Sequence, residues 1–295
     1  MSLFHVIGLG SMGLGMALSL LRAGHEVWGL DLNAAQVAKL EEAGGHALTK
    51  ASPAADALIC VVLNAAQTEA ALFGDDGWSG HVKPGGTILS CATVAPDFAK
   101  RMEAEAQARG LHYLDAPISG GSVRAAEGAL SVMASGTPAA FDGAAEALAA
   151  MAQTVHRLGD HAGPGSAMKA VNQLLAGVHI AAMGEALSFA TSQGLDLARV
   201  LDVIKVSAGT SWMFENRAPH VIDADYMPRS TINIWPKDLG IVTDIAAGAN
   251  LPLPLTETAL AQYRAAAEAG LGLEDDAAIT KLVASRAGLK LPGDA

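Results

Sequence analysis

Up to about residue 163, short apolar runs alternate with stretches of helical period. The runs at 2–7, 25–30, 57–63, 86–90, 111–114, 129–134 and 154–158 read as strands. Several are apolar without alternation, as parallel strands covered on both faces are. The segments 14–22, 65–72, 96–109 and 138–151 carry the helical period between them. This alternation predicts an α/β domain of Rossmann type, doubly wound around a mostly parallel sheet. Beyond Gly163-Pro164 the strand patterns stop and the chain reads as helical to its end. The expectation is a domain of residues 1–163 and an all-helical domain of residues 164–295, joined by a long central helix.

That helix is GSAMKAVNQLLAGVHIAAMGEALSFATSQ at 165–193, about eight turns long. No formally charged residue lies between Lys169 and Glu185. The uncharged run is shorter than the ~20 apolar residues that span a bilayer. It also carries Asn172, Gln173 and His179, which hydrocarbon penalises. A helix buried inside a globular protein is therefore expected, not a membrane span. A lysine in such a helix needs a partner or a purpose. Lys169, Asn172 and Gln173 stand at i, i+3 and i+4, so they share one face, and chemistry is expected there. The alternative for Lys169 is a side chain snorkelling to the surface from a helix end.

The first strand runs directly into Gly8-Leu9-Gly10-Ser11-Met12-Gly13, followed by a helix, a second strand and Asp31. This is the order that dinucleotide binding requires. Gly8 permits a tight turn, Gly10 lets backbone approach a pyrophosphate, and Gly13 lets the helix pack on the strand. The helix N-terminus supplies N–H donors and a positive dipole end. A carboxylate at Asp31 accepts hydrogen bonds from ribose hydroxyls and repels a 2′-phosphate. Neither Leu32 nor Asn33 supplies a guanidinium, so NAD is expected over NADP. Ligands of open parallel sheets lie beyond the carboxyl ends of strands, which puts Leu63, Asn64 and Thr93 near the cofactor. Helix capping is the competing role for Thr93.

Asp115-Ala116-Pro117-Ile118-Ser119-Gly120-Gly121 leaves another strand. Its exposed N–H groups and the Ser119 hydroxyl suit a carboxylate, with Gly120 and Gly121 allowing close approach. A purely structural loop is equally consistent with the motif. The net charge of −11 disfavours nucleic acid and anionic membranes as partners. Cys60 and Cys91 lie in apolar runs and read as small buried hydrophobes. The histidines at 5, 46, 156 and 161 lack metal-ligand spacing, so no metal is expected. His179 reads as a packed helix residue, and Glu274-Asp275-Asp276 as a helix N-terminal turn. The N-terminus runs straight into a strand without a signal-peptide pattern, which points to a cytoplasmic protein.

Four stretches together resemble the β-hydroxyacid dehydrogenase family of 3-hydroxyisobutyrate dehydrogenase-like type. They are GLGSMG at 8–13, DAPISGG at 115–121 with its continuation to Gly136, GSAMKAVNQ at 165–173, and KDLGIV at 237–242. They stand in the family's order and spacing over most of the chain. The resemblance implies a Rossmann domain, an all-helical domain and a dimer or tetramer. It implies Lys169 as the catalytic lysine and Asn172 as the group that orients the substrate. It assigns the substrate carboxylate to Ser119, Gly120 and Gly121, and Lys237 to the cofactor or to closing the cleft, with Asp238 beside it. Three further stretches, QLLAGVHIAA, SWMFENR and LEDDAAITK, resemble members that oxidise four-carbon sugar acids.

These readings predict NAD-dependent oxidation of a small hydroxy acid. A neutral amine at Lys169 takes the hydroxyl proton, and the ammonium returns it in the reverse direction. Ser211, Asn216, Arg217 and His220 are expected to meet a polyhydroxylated tail. Capping helices and lining a subunit interface is the alternative for those four. Oxidation of 3-hydroxyisobutyrate or a tartronate semialdehyde reductase-type activity is the alternative within the resemblance, and a non-catalytic NAD-binding module and an imine reductase stay open beside it. The apolar stretch 251–255 is expected to contribute to self-association.

Overall fold

The computed structural model describes residues 1–294, which divide into two compact units, 1–169 and 170–294. The first unit opens with β1 (Leu3–Ile7), α1 (Gly13–Arg22), β2 (Glu26–Leu30), α2 (Ala34–Glu42), β3 (His46–Ala47), β4 (Ala55–Cys60), α3 (Ala65–Phe73), β5 (Val82–Ser90), α4 (Pro96–Ala108) and β6 (His112–Asp115). The six strands form one parallel sheet in the order β3-β2-β1-β4-β5-β6. The order reverses direction at β1, next to β4, so the carboxyl ends of these two strands flank the switch point of a doubly wound sheet.

The apolar runs are buried because both faces of the sheet are covered. Ile59 and Leu89 point into a core with Met16 and Leu20 of α1. Their neighbours Leu58 and Ile88 point the other way, towards Leu72, Phe98 and Met102 of α3 and α4. This is the period of two along a strand, with apolar residues at both phases. Helix starts follow local chemistry. Asn33 and Asn64 cap α2 and α3 through their side chains, and Pro96 opens α4.

After β6 the chain leaves the main sheet at Pro117. It forms β7 (Ile118–Ser119), α5 (Gly121–Glu127), β8 (Leu130–Ala134), α6 (Pro138–Met151) and β9 (Ala152–Arg157). The runs expected at 129–134 and 154–158 therefore build a separate three-stranded sheet, β7-β8-β9. β7 pairs antiparallel with β8, and β9 runs parallel to it. The expected strand at 57–63 ends at Cys60, where the chain turns towards the Asn64 cap.

Helix α7 (Pro164–Ser192) is one continuous element of 29 residues. By length and composition alone it is apolar enough to cross a membrane. Its packing is that of a core helix. Ile180, Met183 and Leu187 are buried at the centre of the second unit. Around them stand α8 (Leu197–Ile204), α9 (Trp212–Ile222), α10 (Ile234–Gly248), α11 (Pro254–Ala266) and α12 (Ile279–Arg286). Gly177 is the contact point with α10, since a Cβ there would come within 2.9 Å of both Leu239 and Trp235 side chains. Trp235 stacks on Tyr263 at 5.5 Å, and the Tyr263 hydroxyl donates to the Gly177 carbonyl at 2.9 Å. The division between units falls at Lys169, six residues beyond the Gly163-Pro164 break.

Candidate active site

In the first unit the glycine turn sits between β1 and α1. Gly8 has φ +89°, and a Cβ there would lie 2.2 Å from the Val61 carbonyl oxygen. At Gly13 a Cβ would lie 1.8 Å from the Gly8 carbonyl oxygen. Both positions exclude a side chain on geometric grounds. Gly10 is different: it is exposed, and a Cβ there meets nothing within 4 Å. The helix that follows has no side-chain N-cap and no acidic residue in its first turn. Leu14 N–H is taken by the Gly10 carbonyl at 3.2 Å, which leaves the N–H groups of the turn itself, beside Gly10, Ser11 and Met12, as the candidate donors to an anion. This arrangement fits a dinucleotide pyrophosphate. The Leu9 side chain is buried, and its N–H donates to Asp31 Oδ2 at 2.6 Å. Asp31 Oδ1 accepts from Asn33 N–H at 2.7 Å. Asp31 thus fastens the glycine turn to the end of β2 while staying partly exposed.

The other expected cofactor residues lie beyond strand ends in the same unit. Leu63 is exposed, with its N–H donated to Gln67 Oε1 at 2.9 Å. Asn64 caps α3 by accepting from Gln67 N–H at 2.9 Å. Thr93 follows β5 and caps nothing, because Ala95 holds the cap position of α4. The buried thiols of Cys60 and Cys91 are pushed up by burial, Cys60 to about 12, so neither is a nucleophile.

Ser119, Gly120 and Gly121 form the turn from β7 into α5, with φ of +137° and +77° at the two glycines. Lys169 is only 8% exposed, and its amine donates to the Ile118 carbonyl at 2.9 Å. The lysine therefore stands next to the Ser119-Gly120-Gly121 turn, within one compact unit. In the sequence Asp115 stands only as the first residue of the DAPISGG stretch. In the structure it is buried and gathers four donors: Gly163 N–H at 3.0 Å, Ser166 N–H at 2.9 Å, Ser166 Oγ at 2.7 Å and Ser135 Oγ at 3.3 Å. Burial raises its carboxyl above the ordinary carboxylate value, and these hydrogen bonds oppose the rise.

In the second unit, Asn172 donates to Gln173 Oε1 at 2.9 Å, and Gln173 donates to Asp238. Asp238 is buried and pairs with Lys237, whose Nζ lies 2.5 Å from Oδ1. A polar chain of Asn172, Gln173, Asp238 and Lys237 therefore links α7 to α10. The sequence points to Gln173 through the shared face of 169, 172 and 173 and to Asp238 through the KDLGIV stretch, but not to the bond between them.

In the structure the 211–220 segment takes its hydrogen-bond partners from within the helical unit, as the capping alternative expects for Ser211. Ser211 caps α9 through Phe214 N–H at 3.0 Å, and Arg217 pairs with buried Asp276 at 2.6 Å. His220 bonds Asp275 at 2.8 Å, and Asn216 accepts from Arg217. Asp276 also accepts from Trp235 Nε1 at 3.1 Å, and Asp275 from Arg229 N–H at 3.0 Å. These polar groups satisfy one another because two buried carboxylates require partners. The Glu274-Asp275-Asp276 turn is thus the anchor of α9, and Asp275 caps the short turn Asp276–Ala278.

Comparison with known proteins gives the family. Residues 4–159 match the NAD binding domain of 6-phosphogluconate dehydrogenase. Residues 163–283 match the NAD-binding domain of NADP-dependent 3-hydroxyisobutyrate dehydrogenase. The chain is 47% identical to an L-threonate dehydrogenase of Escherichia coli over 98% of its length and 97% of the relative's. It is 46% identical to the L-threonate dehydrogenase of Cupriavidus necator, over 98% of each chain. The crystal structure of a 3-hydroxyisobutyrate dehydrogenase from Salmonella typhimurium superposes with a TM-score of 0.91 at 45% identity, covering 96% of this chain and all of that one.

Proposed function

The chain belongs to the β-hydroxyacid dehydrogenase family, and from that premise we propose that it oxidises L-threonate at its C2 hydroxyl to the 2-oxo acid. The reaction uses NAD, which supplies the hydride acceptor when bound. The residues supply position and proton transfer. Gly10, Ser11 and Met12 receive the pyrophosphate, and Asp31 receives the adenosine ribose. Leu63, Asn64 and Thr93 border the cofactor beyond their strand ends. Ser119, Gly120 and Gly121 receive the substrate carboxylate. The neutral amine of Lys169 takes the hydroxyl proton and is left as ammonium as the C2 hydride departs. Asn172 follows one helical turn later and orients the substrate. Lys237, steadied by Asp238, is assigned to the cofactor. On this reading residues 1–163 bind NAD, and residues 164–295 serve substrate binding and oligomerisation.

The observation that carries the reading is Lys169: a buried amine held 2.9 Å from the carbonyl that precedes Ser119-Gly120-Gly121. A lysine merely snorkelling to solvent would not end there. The two L-threonate dehydrogenases support threonate as substrate, whereas the name of the Salmonella protein supports 3-hydroxyisobutyrate. The internal pairing of Arg217 and His220 removes them from the argument for a polyol. The test is NADH formation from a panel of L- and D-threonate, L- and D-erythronate, D-glycerate and 3-hydroxyisobutyrate. A site built to bond extra hydroxyls rejects an analogue lacking them by up to about 10⁴ in kcat/KM. Equal or better turnover of 3-hydroxyisobutyrate would refute the sugar-acid assignment. No turnover of any acid would leave a non-catalytic NAD-binding module.

We infer further that the protein is a cytoplasmic homodimer or homotetramer. Val171, Leu175 and Phe189 lie exposed along one face of α7, and Leu251 and Leu255 are exposed before and within α11. Apolar surface of this kind on a folded chain favours a second copy.

A further inference from the structure

Two residues of the GSAMK stretch and one of the DAPISGG stretch have no role in the reading above, yet they meet. Asp115 ends β6, and Ser166 stands in the first turn of α7. The carboxylate takes both the N–H and the hydroxyl of Ser166, together with the N–H of Gly163. Ser135, at the end of β8, holds the next donor, accepting from Gly165 N–H at 2.9 Å. Backbone hydrogen bonds between Asp115 and Ser135 run both ways, at 3.0 and 2.9 Å. Gly165 is pressed against this pair. A Cβ there would come within 2.4 Å of the Met133 carbonyl oxygen and 2.8 Å of that of Asp115.

A helix N-terminus leaves its first N–H groups without intrahelical partners. Most helices cap themselves with a neighbouring residue, as α2 and α3 do here. α7 instead borrows its cap from a strand end about fifty residues earlier. The cap sits three residues before Lys169, one helical turn away. The same segment that caps α7 continues to Ile118, whose carbonyl accepts from the lysine amine. Segment 115–119 and segment 163–169 are therefore tied at both ends.

We infer that Asp115, with Ser166, is a positioning residue that sets the place of the Lys169 amine beside the Ser119-Gly120-Gly121 turn. The inference rests on the proposal that Lys169 moves the proton. Misplacing a reacting group by about 1 Å costs on the order of 10² in rate. Asp115→Asn places an amide against backbone N–H donors, and Ser166→Ala removes a single hydroxyl.

The test is a double-mutant cycle on the NAD-loaded enzyme with L-threonate or the best acid of the panel. Asp115→Asn should lower kcat by at least about tenfold while leaving KM for NAD within about twofold. In a Lys169→Ala background the same change should cost less than about twofold, because residues that act through one another are not additive. Amide hydrogen exchange over 163–169 should rise in Asp115→Asn. Should that variant fail to fold, Ser166→Ala runs the same cycle, with a fall in kcat of about threefold or more. An equal loss of kcat in both backgrounds would overturn the inference, as would unchanged exchange with unchanged kcat. Full kcat in Lys169→Ala alone would bring down the proton-transfer proposal itself, and the positioning role with it. That single variant shows which of the two has failed.

Discussion

Replacing Gly10 by alanine adds one methyl group on the open side of the glycine turn. The structure has no atom within 4 Å of that methyl, and Gly10 is not among the glycines with positive φ. The folded chain should accept it. Stability should stay level or rise by about 0.4–1 kcal/mol, since the unfolded chain loses freedom. The cofactor should not accept it. The methyl stands where backbone must approach the pyrophosphate, and displacing the phosphates weakens charge-assisted hydrogen bonds of about 1.5–3 kcal/mol each. Losing one or two of them lowers NAD affinity by about 10². Gly13→Ala is the contrast, because its Cβ would lie 1.8 Å from a backbone oxygen and the turn itself must break. Fluorescence titration with NADH and thermal melts without cofactor read the two quantities separately. A Gly10→Ala variant with wild-type melting and NADH affinity within about threefold would refute the assignment of this turn to the pyrophosphate.

Asp31→Ala removes both the ribose acceptor and the clamp on Leu9 N–H, so NAD affinity should fall by about tenfold with little gain for NADP; comparable kcat/KM for both cofactors in the unaltered protein would refute the NAD preference. His5 is fully buried in β1, its Nε2–H donated to the Pro53 carbonyl at 2.9 Å, and burial lowers its pKa from 6.5 to about 4. A depressed histidine contributes stability that is complete above pH 6.5 and lost as the pH falls towards 4, here about 3 kcal/mol. His5→Gln should flatten that acid limb in urea melts at about pH 7 and about pH 4.5, and an unchanged limb would exclude His5 as its source. Sedimentation at micromolar concentration should show a dimer or tetramer, and a lone species near 30.0 kDa would refute self-association.

What was legible in the sequence was local. β1, the glycine turn, α1 and β2 declare themselves because apolar run, glycine spacing and helical period lie within thirty residues. β3 and β7, two residues each, carry no pattern of their own and exist only through their neighbours. The separate sheet of β7, β8 and β9 depends on Pro117 turning the chain out after β6, a choice that no apolar count reveals. The proximity of Lys169 to the 118–121 turn follows segments that stand out as motifs. Pairings were illegible where partners are distant: Arg217 meets Asp276 across 59 positions, and Ser166 meets Asp115 across 51. A polar residue on a helix looks outward-facing until its buried carboxylate is known.

The cap that α7 borrows from Asp115 also decides where this protein can be dissected. A fragment ending at Gly163, where strand-forming sequence stops, keeps the buried carboxylate but discards both Ser166 donors and leaves Ser135 without Gly165. Such a fragment should be prone to aggregation and proteolysis. Extending it through the first turn of α7 restores every one of those bonds. A chimera between two relatives would accordingly be joined inside the helix, after Lys169. The lysine would then be inherited with the nucleotide-binding parent, and Asn172 and Lys237 with the helical parent. Swapping halves would ask directly which parent dictates the choice of acid.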